Sequence, residues 1–224
     1  MTNTFTATTT DAAFSSLDQV GQCLMDRERS EAFDRAICAV VKPHHTVLDA
    51  GTGFGLLALF AARAGARRVI ALEYDPYIAA LARANIRANG YDNVIEVIEA
   101  DARTHQFAPD QQFDVVIAEM LTTGCIDEFQ VQAINNLHRQ GVVTATTAFI
   151  PERQDTFVAL AETNFEVYGL NFPIVRHLWE ELSEQEEVKL LTDRKPLNGI
   201  AFAGGGQPNS ALSKSLSSPI CQAQ

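Results

Sequence analysis

Hydrophobic and polar residues follow two different periods along the first 150 residues of the chain. Short apolar or β-branched runs, which are typical of buried strands, occupy residues 46–50, 68–73, 93–98, 113–118 and 141–150. Apolar residues at helical spacing occupy the stretches before and between them, residues 14–41, 54–65, 76–89 and 126–139. Because strands that alternate with helices need long crossovers, this pattern predicts a parallel sheet with helices on its faces.

The predicted fold class is α/β, with a doubly wound, mostly parallel sheet and an N-terminal helical cover. We assign residues 14–150 to this domain and residues 151–203, where short β-like runs recur, to a β-rich C-terminal extension. Residues 1–13 are small and polar, and residues 204–224 are rich in Ser, Gly and Pro with few apolar anchors. We therefore expect both terminal stretches to be disordered.

A glycine-rich turn follows the first predicted strand. Asp49 lies at the end of the strand, and the turn carries Gly51, Gly53 and Gly55 before a helix begins. The dinucleotide fingerprint G-x-G-x-x-G would need glycine at position 56, where this chain has Leu56. A carboxylate beside the turn would repel a pyrophosphate, whereas it suits a ligand with a cationic ammonium group.

Acidic residues also end the next three predicted strands, at Glu73, Asp101 and Glu119. Since the carboxyl ends of parallel strands meet at one edge of a sheet, we expect these acids and Asp49 to line one site. Glu73 is placed to accept both hydroxyl protons of a ribose. Ribose, ammonium and no phosphate together describe S-adenosylmethionine. The alternative is a structural glycine turn in some other α/β protein.

A second glutamate, Glu128, lies nine residues beyond Glu119. On one continuous helix the two side chains would point in opposite directions, so a loop at residues 122–124 is needed for them to converge. Two converging carboxylates would clamp a guanidinium, which is planar and carries several N–H donors. In the alternative interpretation, Glu128 only favours a helix N-terminus through the helix dipole.

Residues from about 24 to about 170 resemble the catalytic half of the protein arginine methyltransferases, which have a Rossmann-like class I methyltransferase fold. The resemblance rests on the glutamate pair and on three runs, VLDAGTGFGLLALFAARAGARRVI at 47–70, IPERQDTFVA at 150–159 and VYGL at 167–170. It implies catalytic roles for Glu119 and Glu128. It also implies contacts with S-adenosylmethionine from Arg29, Asp49, Gly51, Thr52, Gly53, Gly55, Glu73, Asp101 and Ala102. Arg29 falls where the family offers an arginine to the cofactor's carboxylate.

Several features of that family are missing from this chain. Its N-terminal tyrosine-rich signature, its Thr-His-Trp loop and most of its C-terminal β-barrel have no counterpart, and Asp101 stands where the family has glutamate. The resemblance therefore implies transfer of a methyl group, with an arginine of a basic protein or peptide as the leading acceptor. A small-molecule N- or O-methyltransferase acting on a small amine, or a non-catalytic cofactor-binding relative, are the alternatives.

Charge and cysteine usage narrow the possible partners. The net charge is −11, and residues 119–193 alone carry 13 acidic and 4 basic side chains, a balance of −9. This distribution is unlike a nucleic-acid phosphate track and is compatible with a basic substrate. The four cysteines show no C-x-x-C spacing, no metal-ligand spacing is apparent, and no apolar run reaches membrane-spanning length. We expect a cytoplasmic protein, with its oligomeric state left open.

Overall fold

The computed structural model describes residues 16–121, 129–172 and 188–203. The chain divides into two compact units, with boundaries after Gln154 and after Gly199. The first unit runs to Gln154 and resumes at Ile200, and the second comprises Asp155–Gly199. All predicted site residues in the described ranges belong to the first unit.

The first unit contains a five-stranded parallel sheet with the order β3-β2-β1-β4-β5. Its strands are β1 Thr46–Ala50, β2 Arg68–Glu73, β3 Ile95–Glu99, β4 Val115–Ile117 and β5 Ala148–Ile150. This confirms the predicted α/β class with a parallel sheet. The strand order reverses between β1 and β4, and the crevice outside the carboxyl ends of strands at such a point is where open α/β sheets bind ligands.

In the described part of the chain, five helices accompany the sheet: α1 Leu17–Met25, α2 Arg27–Val40, α3 Leu56–Arg63, α4 Pro76–Ala88 and α5 Gln130–Gln140. The sequence left open whether residues 14–41 form one broken helix or two, and the structure has two. Asp26 separates them, because its side chain accepts a hydrogen bond from the backbone N–H of Arg29 at 3.1 Å and caps α2. No helix in the described part of the chain is long and apolar enough to cross a membrane.

Side chains from alternate positions of the strands enter two separate cores, one on each face of the sheet. Leu48 and Ile70 pack on one face with residues of α5 such as Leu137. Val47 and Val69 pack on the other face. The buried helical residues in that second core are Ile37 of α2, Ala58, Ala61 and Ala62 of α3, and Ile86 of α4. The strands are therefore buried on both faces, which explains their nearly continuous apolar sequences.

The fifth strand is much shorter than predicted, because only Ala148–Ile150 pairs with β4. The prediction of a strand over residues 141–147 was wrong. Thr147 hydroxyl oxygen accepts a hydrogen bond from the backbone N–H of Thr144 at 2.9 Å, and the hydroxyl donates to the carbonyl of Phe113 at 2.8 Å. Threonine side chains thus satisfy backbone groups locally and replace a strand ladder with a turn.

The chain returns to the first core after its second unit. Ile200 and Phe202 are buried there, and Phe202 has no exposed surface. The backbone N–H of Phe202 donates to the carbonyl of Glu152 at 3.0 Å, and its carbonyl lies 3.0 Å from Nε2 of His138. The sequence predicted a short strand near 199–202 but not this packing against the main core.

The remaining described strands are short. They are β6 Arg153–Val158, β7 Ala161–Thr163, β8 Glu166–Val167, β9 Leu170–Asn171, β10 Val188–Leu190 and β11 Lys195–Ala201. β6 is in a two-stranded sheet with β11, β7 pairs with β10, and β8 pairs with β9. The predicted β-rich character of this region is confirmed for these residues.

Candidate functional site

Three predicted acids meet at the carboxyl-terminal edge of the sheet. Asp49 lies in β1, Glu73 ends β2, and Glu119 comes two residues after β4. Asp49 is fully buried, Glu73 is 7% exposed and the side chain of Glu119 is 17% exposed. Burial penalises carboxylate charge, so a cluster of this kind favours cationic or N–H donor partners.

The glycine turn between β1 and α3 has a backbone conformation that favours glycine. Gly51 and Gly53 have φ angles of +83° and +55°. A Cβ atom on Gly53 would lie 3.0 Å from Cγ1 of Val20 in α1, and one on Gly51 would lie 3.2 Å from Sδ of Met120. The missing side chains therefore let α1 and Met120 approach the turn closely.

Asp49 is an acid with one satisfied and one unsatisfied oxygen. Its Oδ2 accepts a hydrogen bond from the hydroxyl of Thr52 at 2.6 Å. Its Oδ1 is buried without a hydrogen-bond partner among the described residues. Burial raises the pKa of Asp49 to about 7, although the Thr52 hydroxyl favours the ionised form. An N–H donor or a cation that reached Oδ1 would satisfy it.

Glu73 is held by the backbone of the glycine turn and of its own loop. Its Oε2 accepts from the N–H of Gly53 at 2.8 Å, and its Oε1 accepts from the N–H of Asp75 at 3.0 Å. Burial raises the pKa of Glu73, and these backbone donors oppose that effect. Each oxygen keeps a further lone pair, so the carboxylate is fixed in position and still able to accept hydroxyl protons.

Arg29 and Glu119 form the main ion pair of the site, although 90 residues separate them in sequence. Nη1 of Arg29 donates to Oε2 of Glu119 at 2.7 Å, and Nη2 donates to the carbonyl of Cys23. Burial raises the pKa of Glu119, and the neighbouring guanidinium of Arg29 opposes that rise. Burial is the largest single effect and lowers the pKa of Arg29, but Glu119, Cys23 and Asp26 together outweigh it and the net pKa is raised. The predicted cofactor arginine and the predicted catalytic acid are thus direct partners.

Asp101 follows β3 and lies beside Arg103, which the sequence did not single out. The Arg103 side chain contacts both oxygens of the Asp101 carboxylate, with its Nη2 2.7 Å from Oδ2. Burial alone would raise the pKa of Asp101, but hydrogen bonds and charge from Arg103 lower it. Ala102, predicted beside Asp101, is buried.

The structure describes two of the remaining predicted site residues, Thr52 and Gly55, but not Glu128. Thr52 is buried, and Gly55 lies at the N-terminus of α3 with φ of +90°. Glu128 lies outside the described residues, so its convergence with Glu119 stays a prediction.

Gln130 is a further residue that sequence reasoning missed. It is fully buried in the first turn of α5, and its Oε1 accepts from the backbone N–H of Met120 at 2.9 Å. This bond fixes the backbone directly after Glu119. A glutamine within the apolar pattern of a helix is the sequence signal that could have drawn attention to it, since buried amides need partners.

A parallel sheet of this order, with a glycine turn after its first strand and an acid ending its second, defines a class I S-adenosylmethionine-dependent methyltransferase domain. The chain belongs to the ribosomal protein L11 methyltransferase (PrmA) family, whose sequence profile matches residues 5–192. The predicted resemblance to methyltransferases is therefore confirmed.

Similarity to individual proteins points to two groups of methyltransferases. The chain is 33% identical over 132 residues to a ribosomal protein L11 methyltransferase of Carboxydothermus hydrogenoformans, covering 59% of this chain and 42% of that protein. It is 40% identical over 107 residues to an arginine N(omega)-methyltransferase of Streptomyces achromogenes, covering 47% of this chain and 30% of that protein. The chain spans about half the length of the curated relatives it matches.

A solved structure shares the fold of this chain. It is the PRMT1 enzyme–prozyme complex of Trypanosoma brucei with AdoHcy, which aligns with a TM-score of 0.63 at 23% identity. The alignment covers 80% of this chain and 60% of that one.

The residues present fit S-adenosylmethionine as the cofactor. The buried, unpartnered Oδ1 of Asp49 suits a cationic ammonium group, and a Cβ on Gly51 or Gly53 would crowd the turn beside it. Glu73 offers fixed acceptors for hydroxyl groups, and Arg29 offers a half-buried cation for a carboxylate. These features match the ammonium, ribose and carboxylate groups of one molecule.

Proposed function

We propose that this chain transfers a methyl group from S-adenosylmethionine to a guanidinium nitrogen of an arginine in a basic protein or peptide. The observation that carries the proposal is the contact of Glu119 with the guanidinium of Arg29, at 2.7 Å at the strand edge. This carboxylate has the exposure and the position needed to hold a guanidinium beside the glycine turn. The similarity to an arginine N(omega)-methyltransferase supports a guanidinium as the acceptor group.

Each predicted cofactor residue has a role in this proposal. Asp49 holds the ammonium group, Arg29 the carboxylate and Glu73 the ribose hydroxyls. Gly51, Thr52, Gly53 and Gly55 form the turn against which the cofactor lies, and Asp101 and Ala102 border the adenine.

Glu119 has two tasks toward the acceptor. When bound, S-adenosylmethionine supplies a methyl group on a cationic sulfur, which leaves readily and needs no general acid. Glu119, with Glu128 as the proposed second arm, orients the guanidinium and keeps electron density on the attacking nitrogen. Because burial raises the pKa of Glu119, its carboxylate is also a better acceptor for the proton that this nitrogen releases.

A basic partner suits the charge of the chain. Residues 119–193 carry a balance of −9, and this segment begins at the proposed acceptor-binding glutamate. A net negative charge attracts cationic peptides and speeds their association at low salt.

The proposal is tested by a transfer assay with tritium-labelled methyl groups on S-adenosylmethionine and the full chain. The acceptors are an arginine-rich peptide, the same peptide with every arginine replaced by lysine, and free arginine. We expect label in methylarginine of the first peptide and none in the lysine peptide. Label only in free arginine would instead identify a small-molecule methyltransferase. Cofactor binding without transfer to any acceptor would identify a non-catalytic relative.

A second candidate function is methylation of ribosomal protein L11. The observation that favours it is the match of the L11 methyltransferase family profile to residues 5–192, most of the chain. Adding purified L11 to the same assay distinguishes the two functions, since label in L11 outside arginine would contradict the arginine proposal.

Replacing Glu73 by Gln is expected to weaken binding of S-adenosylhomocysteine about tenfold. The amide keeps one acceptor but loses the charge that strengthens hydrogen bonds to ribose hydroxyls, a difference of about 1.4 kcal/mol. Isothermal titration calorimetry measures the change. A 2′,3′-dideoxyribose analogue should bind both proteins equally, and an equal loss for both ligands would contradict the ribose role.

A further inference from the structure

Both oxygens of the Asp101 carboxylate are held by a single residue. Oδ1 accepts from the backbone N–H of Arg103 at 2.8 Å and from its Nε at 2.9 Å. Oδ2 lies 2.8 Å from the same Nε and 2.7 Å from Nη2. Because the guanidinium lies across both oxygens, a further donor that approaches this carboxylate competes with the contacts of Arg103.

The guanidinium of Arg103 also lies against aromatic rings at the same edge of the sheet. Its Cζ atom is 4.2 Å from the ring centroid of Phe129 and 5.9 Å from that of Tyr74. Tyr74 directly follows the proposed ribose acid, Glu73. A planar group that donates N–H bonds to Asp101 and stacks on an aromatic ring has the chemistry of the amino edge of adenine.

The backbone that carries Asp101 is fixed, whereas the Arg103 side chain can move. Nδ2 of Asn136 donates to the carbonyls of Ala102 and His105, each at 3.0 Å, and Nε2 of Gln140 donates to His105 at 2.7 Å. Both donors belong to α5. The Arg103 side chain is 26% exposed and has several rotatable bonds, so it can change its contacts with Asp101 while the backbone stays in place.

We propose that Arg103 is a specificity-determining residue of the cofactor site, where its guanidinium competes with adenine for the Asp101 carboxylate. Adenine binding then requires the Arg103 side chain to give up its contacts with Asp101, while the amino group of the base takes its place. Arg103 thereby weakens cofactor binding and makes it depend on an N–H donor at that edge of the purine. The inference rests on the proposed role of Asp101 toward adenine.

Calorimetric titration with S-adenosylhomocysteine tests the inference without measuring activity. Arg103→Ala is expected to lower the dissociation constant about three- to tenfold, because a partly exposed ion pair no longer has to be broken. Arg103→Lys, which cannot form the forked contact, should give a smaller gain in affinity, and it decides the test if the alanine variant does not fold. Arg68→Ala is the matched control, since Arg68 pairs with Glu96 at 2.6 Å near the amino-terminal ends of β2 and β3.

A second ligand distinguishes competition at Asp101 from a general effect of the Arg103 substitution on cofactor affinity. In the analogue of S-adenosylhomocysteine whose base is unsubstituted purine, a hydrogen atom on carbon replaces the amino group of adenine, so this ligand cannot donate to Asp101. Removal of the Arg103 side chain should give no gain in its affinity. Unchanged or weaker S-adenosylhomocysteine binding by Arg103→Ala, or an equal gain for both ligands, would overturn the inference. Failure of the wild-type chain to bind S-adenosylhomocysteine would refute the cofactor role itself, and the inference with it.

Discussion

Asp49→Asn is expected to stabilise the folded protein at pH 8 by about 2–4 kcal/mol and to change its stability little at pH 4. Burial raises the pKa of Asp49 to about 7, whereas an unfolded aspartate has a pKa of about 3.9. A rise of about three pKa units corresponds to about 4 kcal/mol in the free energy of unfolding, which we take as the upper limit of the effect.

The direction in which stability changes with pH follows from proton binding by Asp49. Between pH 4 and pH 7 the folded chain binds the Asp49 proton and the unfolded chain does not, so stability falls as pH rises through this window. Above pH 7 the folded chain buries a charge that asparagine does not carry. The free energy of unfolding, measured by urea denaturation at pH 4, 6 and 8, should therefore differ most between variant and wild type at pH 8.

Asp92→Asn provides the control for the Asp49 experiment. Asp92 is exposed in the same unit, so its replacement removes a carboxylate that folding does not bury. A stability difference for Asp49→Asn that follows that of Asp92→Asn at all three pH values would contradict the raised pKa of Asp49.

Glu119→Gln is expected to lower turnover by about ten- to hundredfold while leaving affinity for S-adenosylhomocysteine unchanged or higher. The amide keeps the volume of the side chain but loses charge-assisted hydrogen bonds worth about 1.5–3 kcal/mol to a guanidinium acceptor. Arg29 would also lose the anion that competes with the cofactor's carboxylate. Steady-state kinetics with the arginine-rich peptide and calorimetry with the cofactor product measure the two effects separately.

Two further variants provide the comparisons needed to interpret a loss of turnover by Glu119→Gln. Glu96→Gln makes the same change in the exposed Arg68–Glu96 pair and should leave turnover unchanged. Glu128→Gln should also lower turnover, and the double variant should lose less than the two single losses combined because the acids share one ligand. A parallel fall in cofactor affinity for Glu119→Gln would show that Glu119 serves only to hold Arg29.

Local sequence was enough to predict the edge of the sheet where the acids meet. Strands with apolar residues on both faces, glycines after β1 and an acid at each strand end depend on neighbouring residues only. Asp49 and Glu73 could therefore be placed from the pattern alone. The threonines at 144–147 misled the same reasoning, because β-branched residues favour strands while their hydroxyls can also close a turn.

Contacts between side chains distant in sequence were not predictable in this way. The pairing of Arg29 with Glu119 depends on where α2 packs, and the amide of Gln130 reaches Met120 only because α5 lies against the sheet. Arg103 is only two residues from Asp101, yet its forked contact depends on rotamers and on the ring of Phe129. Roles toward the cofactor and acceptor remain proposals.

The hydrogen bond between Glu152 and Phe202 holds together the two ends of the segment that lies between these residues. Lengthening or shortening a segment closed in this way changes its closure entropy only slowly with length. Changes in the length of the 155–199 segment are therefore expected to cost the first unit little stability. A premature stop codon before residue 202 has a different result, because it removes the phenylalanine that fills the core and damages the catalytic unit from a distance.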